Sequence, residues 1–187
     1  MNLRDFSLIE VAAFVARELR KHGVTVVVVG GSAVTAYAPE IYTSHDIDFA
    51  ATSGIERRKF TKILRAIGFV EAGRTFAHPD TLYTIDFVAD TPYVDQRAIQ
   101  EFNEIGTAQG PVQVVQFEDA IADRIAAFLH WNDSQSLDVA ERCVRARTAT
   151  ISWQRLESAL RMLDVGARGA PQRLELAIGK LRSALDR

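Results

Sequence analysis

The amino-acid sequence predicts an α+β protein in which a small mixed β-sheet, flanked by helices, is followed by a C-terminal helical bundle. Strand-like and helix-like segments alternate up to Phe117, and only helical patterns follow this residue. Of the 187 residues, 48% are hydrophobic and 25% are charged, which is an ordinary globular composition. These observations divide the chain into a core at residues 1–117 and a helical part at residues 118–187.

The predicted helices rest on apolar residues at helical spacing and on residues that cap helix ends. Ser7 with Glu10, and Ser53 with Glu56, match the capping-box pattern at a helix start. Pro39 ends a short helix because its ring cannot continue one. The helices cover residues 7–22, 32–38, 53–66, 95–105, 117–129, 152–165 and 171–185, with a further one that starts near Ser134.

The predicted strands are short runs rich in β-branched and aromatic residues. The first is a run of four consecutive valines, whose stiff side chains suit a pleated surface. A turn at Gly73 separates the third strand from the fourth, and residues 106–111 form a loop before the last one. The strands cover residues 26–29, 46–49, 69–71, 75–77, 82–88 and 112–117.

A polar turn, Gly30-Gly31-Ser32, follows the valine strand directly. Two glycines let the backbone turn sharply and come close to a ligand. Ser32 adds a hydroxyl where the next helix should begin, and exposed N–H groups at a helix start suit an anion such as phosphate. These three residues are therefore candidates for binding phosphate.

Two acids, Asp46 and Asp48, lie on the second predicted strand. Side chains alternate across a strand, so both carboxylates point to one face while Ile47 and Phe49 point to the other. Two carboxylates a few ångströms apart repel each other, and a bound divalent cation is the usual remedy. A phosphate-binding turn beside such a pair is the chemistry of nucleotide handling.

In its order and spacing this pattern resembles the DNA polymerase beta-like nucleotidyltransferases. Their pattern is Gly-Gly/Ser, a spacer, and Asp-hydrophobic-Asp, with a third carboxylate on a later strand. Here Gly30-Gly31-Ser32 is followed after thirteen residues by Asp46-Ile47-Asp48. The resemblance implies the fold of that family, a nucleotidyl-transfer activity, and Mg²⁺ or Mn²⁺ as the cofactor.

Asp86 is the first candidate for the third carboxylate. It stands between Ile85 and Phe87 in an apolar strand, where an isolated acid is costly to bury without a partner. A metal site shared with the first two acids would supply that partner. Asp90 is the alternative.

The helical part resembles the abortive-infection toxin type of bacterial nucleotidyltransferases, and residues 130–135 resemble a subgroup of them without an assigned role. In that type a basic residue, commonly lysine, contacts the nucleotide phosphates, and an acid-X-X-acid step follows on the next helix. Arg124 occupies the basic position, and Asp138 with Glu141 supplies the step. The resemblance implies that Arg124 and Asp138 bind nucleotide. The alternative for Arg124 is an ion pair with Asp138 or Glu118.

The segment before the acidic pair departs from this type, which often carries Arg or Lys there. This chain has Tyr42 and His45 instead. We interpret His45 as a packed or exposed histidine rather than a substrate contact.

The combined hypothesis is a metal-dependent nucleotidyltransferase that moves a nucleoside monophosphate from a nucleoside triphosphate to an acceptor hydroxyl and releases pyrophosphate. The acceptor is RNA or protein, with tRNA as one candidate if the chain is the toxin of a toxin–antitoxin pair. An antitoxin would then be a partner. The alternative is a non-catalytic nucleotide-binding or antitoxin-like interaction module that keeps the fold.

Charge and composition narrow these options. Residues 1–123 carry 11 basic and 17 acidic side chains, whereas residues 124–187 carry 11 and 7. The basic rear either faces polyphosphate or nucleic acid or simply decorates exposed helices. A single cysteine, Cys143, excludes an internal disulfide and a cysteine-rich zinc site. The N-terminus lacks a signal-peptide pattern and no apolar run is long enough to span a membrane, which predicts a cytoplasmic protein.

Overall fold

The computed structural model describes residues 2–52 and 57–186, and it confirms the α+β class. The strands are β1 (Val26–Val28), β2 (Asp46–Ala51), β3 (Val70–Ala72), β4 (Thr75–Ala77), β5 (Thr84–Ala89), β6 (Tyr93–Val94), β7 (Arg97–Ala98), β8 (Phe102–Thr107) and β9 (Gly110–Val115). The helices are α1 (Leu8–Arg20), α2 (Gly30–Tyr37), α3 (Arg57–Ala66), α4 (Phe117–Trp131), α5 (Ser134–Ala146), α6 (Trp153–Arg161) and α7 (Ala170–Leu185).

Seven of the strands form one mixed sheet in the order β3-β4-β5-β2-β1-β9-β8. The pairs β2 with β5 and β1 with β9 are parallel, and the other neighbouring pairs are antiparallel. All three valines of β1 are buried, as expected for a strand covered on both faces. In this strand order β2, which carries the two acids, is the central strand of the sheet.

Helix α1 begins with the predicted capping box. The Glu10 carboxylate accepts hydrogen bonds from the Ser7 backbone N–H at 2.9 Å and from the Ser7 hydroxyl at 2.7 Å. These bonds satisfy groups that a helix start otherwise leaves unpaired. The apolar face of α1 is buried and packs against β9. The second predicted capping box, at residues 53–56, lies outside the described residues.

The helix predicted at residues 95–105 is wrong. Residues 93–98 form the small β6–β7 hairpin, and β8 begins at Phe102. Asp95 turns the hairpin with φ of +55°, a conformation that Asp tolerates better than most residues. Its carboxylate also bonds His130 Nε2 at 3.1 Å and the backbone N–H of Asp164 at 2.5 Å. These distant partners stabilise a turn that no local pattern indicated.

The loop predicted at residues 106–111 is also too long, because β8 runs to Thr107 and β9 starts at Gly110. Phe117 starts α4 rather than ending a strand, and α6 ends at Arg161 instead of residue 165.

The helical part packs on the core through α4. This helix lies against α2 and also against α5, α6 and α7, and most of its apolar residues are buried. Asn132 ends α4 in the left-handed conformation, and Asp133 caps α5 by accepting from the N–H groups of Gln135 and Ser136. Cys143 is buried in α5. The division at residues 117 and 118 stays a prediction.

None of the helices within residues 2–52 and 57–186 is both long and apolar enough to cross a membrane.

Candidate active site

The parallel pairing of β2 with β5 places two of the predicted acids side by side. Asp48 is in register with Asp86, and Asp46 is in register with Thr84. Because side chains alternate along a strand, all four lie on the same face of the sheet. The opposite face is apolar, and Phe87 stacks there on Phe60 of α3 with ring centroids 4.0 Å apart.

These acids differ in exposure. Asp46 is exposed, Asp48 is half-buried, and the Asp86 side chain is only 12% exposed. Burial, followed by the charges of Asp46 and Asp86, raises the pKa of Asp48 to about 6. The cluster therefore carries negative charge that the protein compensates only in part, which is the situation that a bound cation relieves.

Asp46 and Asp86 each have a partner of their own. The Thr84 hydroxyl donates to Asp46, and Arg74 Nη2 lies 3.3 Å from Asp86 Oδ2. In these orientations no three His, Cys, Asp or Glu side chains of the described residues form a ready metal site. The donor set nevertheless fits Mg²⁺ or Mn²⁺, since both prefer carboxylate oxygens. A metal at Asp86 Oδ2 would compete with Arg74 for that oxygen.

The turn between β1 and α2 brings the glycine motif against this cluster. Gly30 has φ of +60°, and a Cβ atom on it would lie 2.7 Å from Asp48 Oδ2. A glycine therefore suits this position, because a side chain there would collide with the Asp48 carboxylate; the close approach to a ligand stays a prediction. The start of α2 at Gly30 thus lies beside the Asp48 carboxylate, and the first N–H groups of a helix are those that can bind an anion.

Ser32 does not cap this helix, contrary to the prediction. The N-cap residue is Val29, and Ser32 is fully buried within the first turn. Its hydroxyl donates to the Val29 carbonyl at 2.7 Å and accepts from the Asp48 N–H at 3.1 Å. Ser32 thus ties the turn to the acidic strand at the residue that carries Asp48.

Arg124 interacts electrostatically with Asp48 of the acidic cluster. Its Nη2 donates to Asp123 Oδ2 at 2.7 Å, so this ion pair is with Asp123 rather than with Asp138 or Glu118, the two acids of the alternative. Its buried Nε has no hydrogen-bond partner among the described residues. Burial lowers the pKa of Arg124, but Asp123, Tyr42 and Asp48 outweigh burial and raise it overall. The guanidinium therefore stays charged beside the acids.

Tyr42, for which no role was predicted, lies between Arg124 and the glycine motif in its interactions. A Cβ atom on Gly31 would lie 3.2 Å from the Tyr42 hydroxyl, and the same side chain interacts electrostatically with Arg124. His45 is exposed, and its carbonyl accepts from the Thr84 N–H. Arg74 and Asp123 are further site residues that no motif indicated.

The acid-X-X-acid step lies apart from this group in its contacts. The Asp138 side chain is 65% exposed and pairs with Arg142 at 3.7 Å, while Glu141 pairs with Arg145 and Lys180. Glu118 accepts from the Ser152 N–H instead. No contact described for Asp138 connects it with Asp48 or Arg124, and its nucleotide-binding role stays a prediction.

No protein-family model and no curated protein sequence matches this chain. Solved structures do. An antigenic nucleotidyltransferase-like protein from Paracoccidioides brasiliensis has a TM-score of 0.58 at 14% identity, over 100% of this chain and 95% of that one. Two structures of the antibiotic-resistance factor ANT(2'')-Ia have a TM-score of 0.42. The solution structure is 17% identical over 94% of this chain and 91% of that one. The crystal structure with adenylyl-2''-tobramycin is 16% identical over 94% and 97%.

The Paracoccidioides structure covers the whole of this chain, helical part included. The chain thus has the fold of a nucleotidyltransferase-like protein. The likeness concerns the fold, and it leaves the toxin type and the acceptor undecided.

Proposed function

We propose that this chain is a metal-dependent nucleotidyltransferase. The observation that carries the proposal is the in-register pair Asp48 and Asp86, with Asp46 on the same face and the start of α2 against it. Carboxylates and a helix N-terminus bind opposite charges, so their contact suits a phosphate bridged to a metal. The fold of a nucleotidyltransferase-like protein supports the same reaction class.

The acids and the glycine turn have different roles in the proposed reaction. Asp46, Asp48 and Asp86 would hold Mg²⁺ or Mn²⁺, which supplies positive charge to the phosphates and to the acceptor oxygen. The N–H groups of Gly30 and Gly31 would bind the β- and γ-phosphates. In the transfer, the acceptor oxygen bonds to the α-phosphorus as the bond to pyrophosphate breaks.

Arg124 would neutralise the charge that develops on the departing pyrophosphate. An arginine suits this role because it stays protonated and donates two parallel hydrogen bonds to phosphate. Its buried Nε without a partner lies on the same guanidinium. Ser32 acts indirectly, since its hydroxyl fixes the backbone of Asp48.

The direct test is transfer of label from α-³²P nucleoside triphosphates, with Mg²⁺ or Mn²⁺, to tRNA, total RNA or protein. We expect labelled acceptor with the wild-type chain and none with Asp46→Asn/Asp48→Asn. Glu104→Gln is the matched control, because it removes an exposed acid from β8 and should leave transfer unchanged. Wild-type chain that labels no acceptor, or equal labelling by the double variant, would refute the proposal.

Arg124→Gln should weaken binding of a nucleoside triphosphate by about 10-fold or more, because a charge-assisted hydrogen bond to phosphate contributes roughly 1.5–3 kcal/mol. Arg124→Lys keeps the charge and should retain part of the affinity. Calorimetric titration with each triphosphate measures the change. Arg142→Gln on the exposed face of α5 is the control, and an equal loss there would assign the effect to overall charge.

We further propose that the acceptor is RNA and that the chain acts as a toxin. The basic excess of residues 124–187 supports a polyanionic acceptor. Growth arrest on expression, relieved by Asp46→Asn/Asp48→Asn, would support the toxin role. Growth unaffected by expression would argue against it.

The partners of Asp46 and Asp86 favour a second candidate, a non-catalytic nucleotide-binding or antitoxin-like module. Thr84 and Arg74 satisfy these two acids without any metal. Under this alternative, calorimetry would show triphosphate binding that is independent of divalent cations, together with no turnover.

A further inference from the structure

Arg74 is the cation that reaches the most buried acid of the candidate site. It lies in the turn between β3 and β4, directly after Gly73, and its Nη2 is 3.3 Å from Asp86 Oδ2. The arginine side chain is 88% exposed, whereas that of Asp86 is 12% exposed. A solvent-exposed cation thus contacts the most buried acid of the cluster.

This ion pair is suited to reversible contact. An exposed guanidinium gains little from an ion pair, because water solvates the charge and the long side chain loses freedom when it is held. Asp86 benefits more, since it is nearly buried and stands in register with Asp48. A divalent cation can be shared among the oxygens of several carboxylates, and it would therefore compete with the guanidinium for Asp86.

We propose that Arg74 guards the metal site: it holds Asp86 while no cation is bound and leaves it when a divalent cation enters. The inference rests on the proposed function, which assigns a metal to Asp46, Asp48 and Asp86. Arg74 is a positioning residue in this account, since it acts through Asp86. Competition between the guanidinium and the metal for one carboxylate has two consequences that can be measured without turnover.

The first consequence concerns metal affinity. Calorimetric titration of the nucleotide-free protein with Mn²⁺ should give a dissociation constant about 2- to 5-fold lower for Arg74→Gln than for wild type, the range that corresponds to loss of an exposed ion pair. The second concerns the protein without metal, in which Arg74→Gln should lower the melting temperature by roughly 1–4 °C. Both effects should disappear in an Asp86→Asn background.

Arg65→Gln is the matched control. Arg65 is an exposed arginine that pairs with Glu71 of the neighbouring strand β3 at 3.1 Å, so the variant removes the same charge nearby. We expect it to leave Mn²⁺ affinity near that of wild type. An equal gain in Mn²⁺ affinity for Arg65→Gln would show that the loss of any nearby positive charge has this effect, and it would refute the proposed role of Arg74.

The outcomes also separate this inference from the proposed function. If wild type binds Mn²⁺ and Arg74→Gln binds it equally well, the proposed role of Arg74 is wrong, whereas the proposed metal site is supported. If neither protein binds Mn²⁺, the metal site and the guard are both wrong. Two outcomes would support the proposed role of Arg74. In the first, Arg74→Gln binds Mn²⁺ and wild type does not. In the second, Arg74→Gln binds Mn²⁺ more tightly than wild type, and this gain requires Asp86.

Discussion

Asp48→Asn should abolish nucleotidyl transfer and at the same time make the protein without metal more stable at neutral pH. The loss of activity should be at least about 100-fold, because a metal at the reacting phosphate contributes several kcal/mol to the transition state and each 1.4 kcal/mol is tenfold. The gain in stability follows from the raised pKa of Asp48. A residue kept at a cost to stability is typical of a functional site.

The contribution of Asp48 to the stability of the fold depends on pH, and the raised pKa determines its direction. The pKa of Asp48 rises from 3.8 to about 6 on folding, so the folded chain binds this proton more tightly than the unfolded chain does. The resulting stability is fully present below pH 3.8 and is lost as the pH rises through 6. The amount is at most about 3 kcal/mol, since one pKa unit corresponds to 1.36 kcal/mol.

Asparagine stays neutral and escapes this loss. Wild type and Asp48→Asn should therefore melt at similar temperatures near pH 4 and differ by up to about 5–10 °C above pH 7, with the variant the more stable. Thermal unfolding in a chelating buffer at several pH values measures the difference. Glu104→Gln should show no such pH-dependent gain. A less stable Asp48→Asn at neutral pH would show that burial and the neighbouring acids do not raise the pKa of Asp48 as the structure indicates.

The parts of the site that the sequence predicted are those encoded locally. The valine strand, the glycine turn and the placement of Asp46 and Asp48 on one face each depend on a few consecutive residues. The capping box of α1 is local for the same reason. Ser32 was misplaced because Gly30, with its positive φ, already starts the helix at the second residue after β1.

The remaining parts depend on contacts between distant segments. The register that pairs Asp48 with Asp86 joins strands 38 residues apart, and no local pattern specifies it. Arg74 lies in a hairpin turn whose sequence gives no sign of a nearby acid. Side-chain partners are thus harder to predict than the strands that carry them.

Gly30→Ala should separate the geometry of the site from the stability of the fold. The positive φ of Gly30 costs an L-residue about 1–2 kcal/mol, and the new methyl group would lie 2.7 Å from Asp48 Oδ2. The carboxylate must then move, and a displacement of about 1 Å in a catalytic group can cost 100-fold in rate. We expect transfer to fall by about that factor, measured as label transferred per minute at saturating triphosphate.

Gly23→Ala is the matched control for the backbone term. Gly23 also has a positive φ, +73°, but no atom lies within 4 Å of the position its Cβ would occupy. The two variants should lose similar stability in thermal unfolding, while only Gly30→Ala should lose transfer and Mn²⁺ affinity. Equal activity in both would mean that Asp48 can adjust without cost, and that the contact between the glycine turn and the acid serves the fold rather than the reaction.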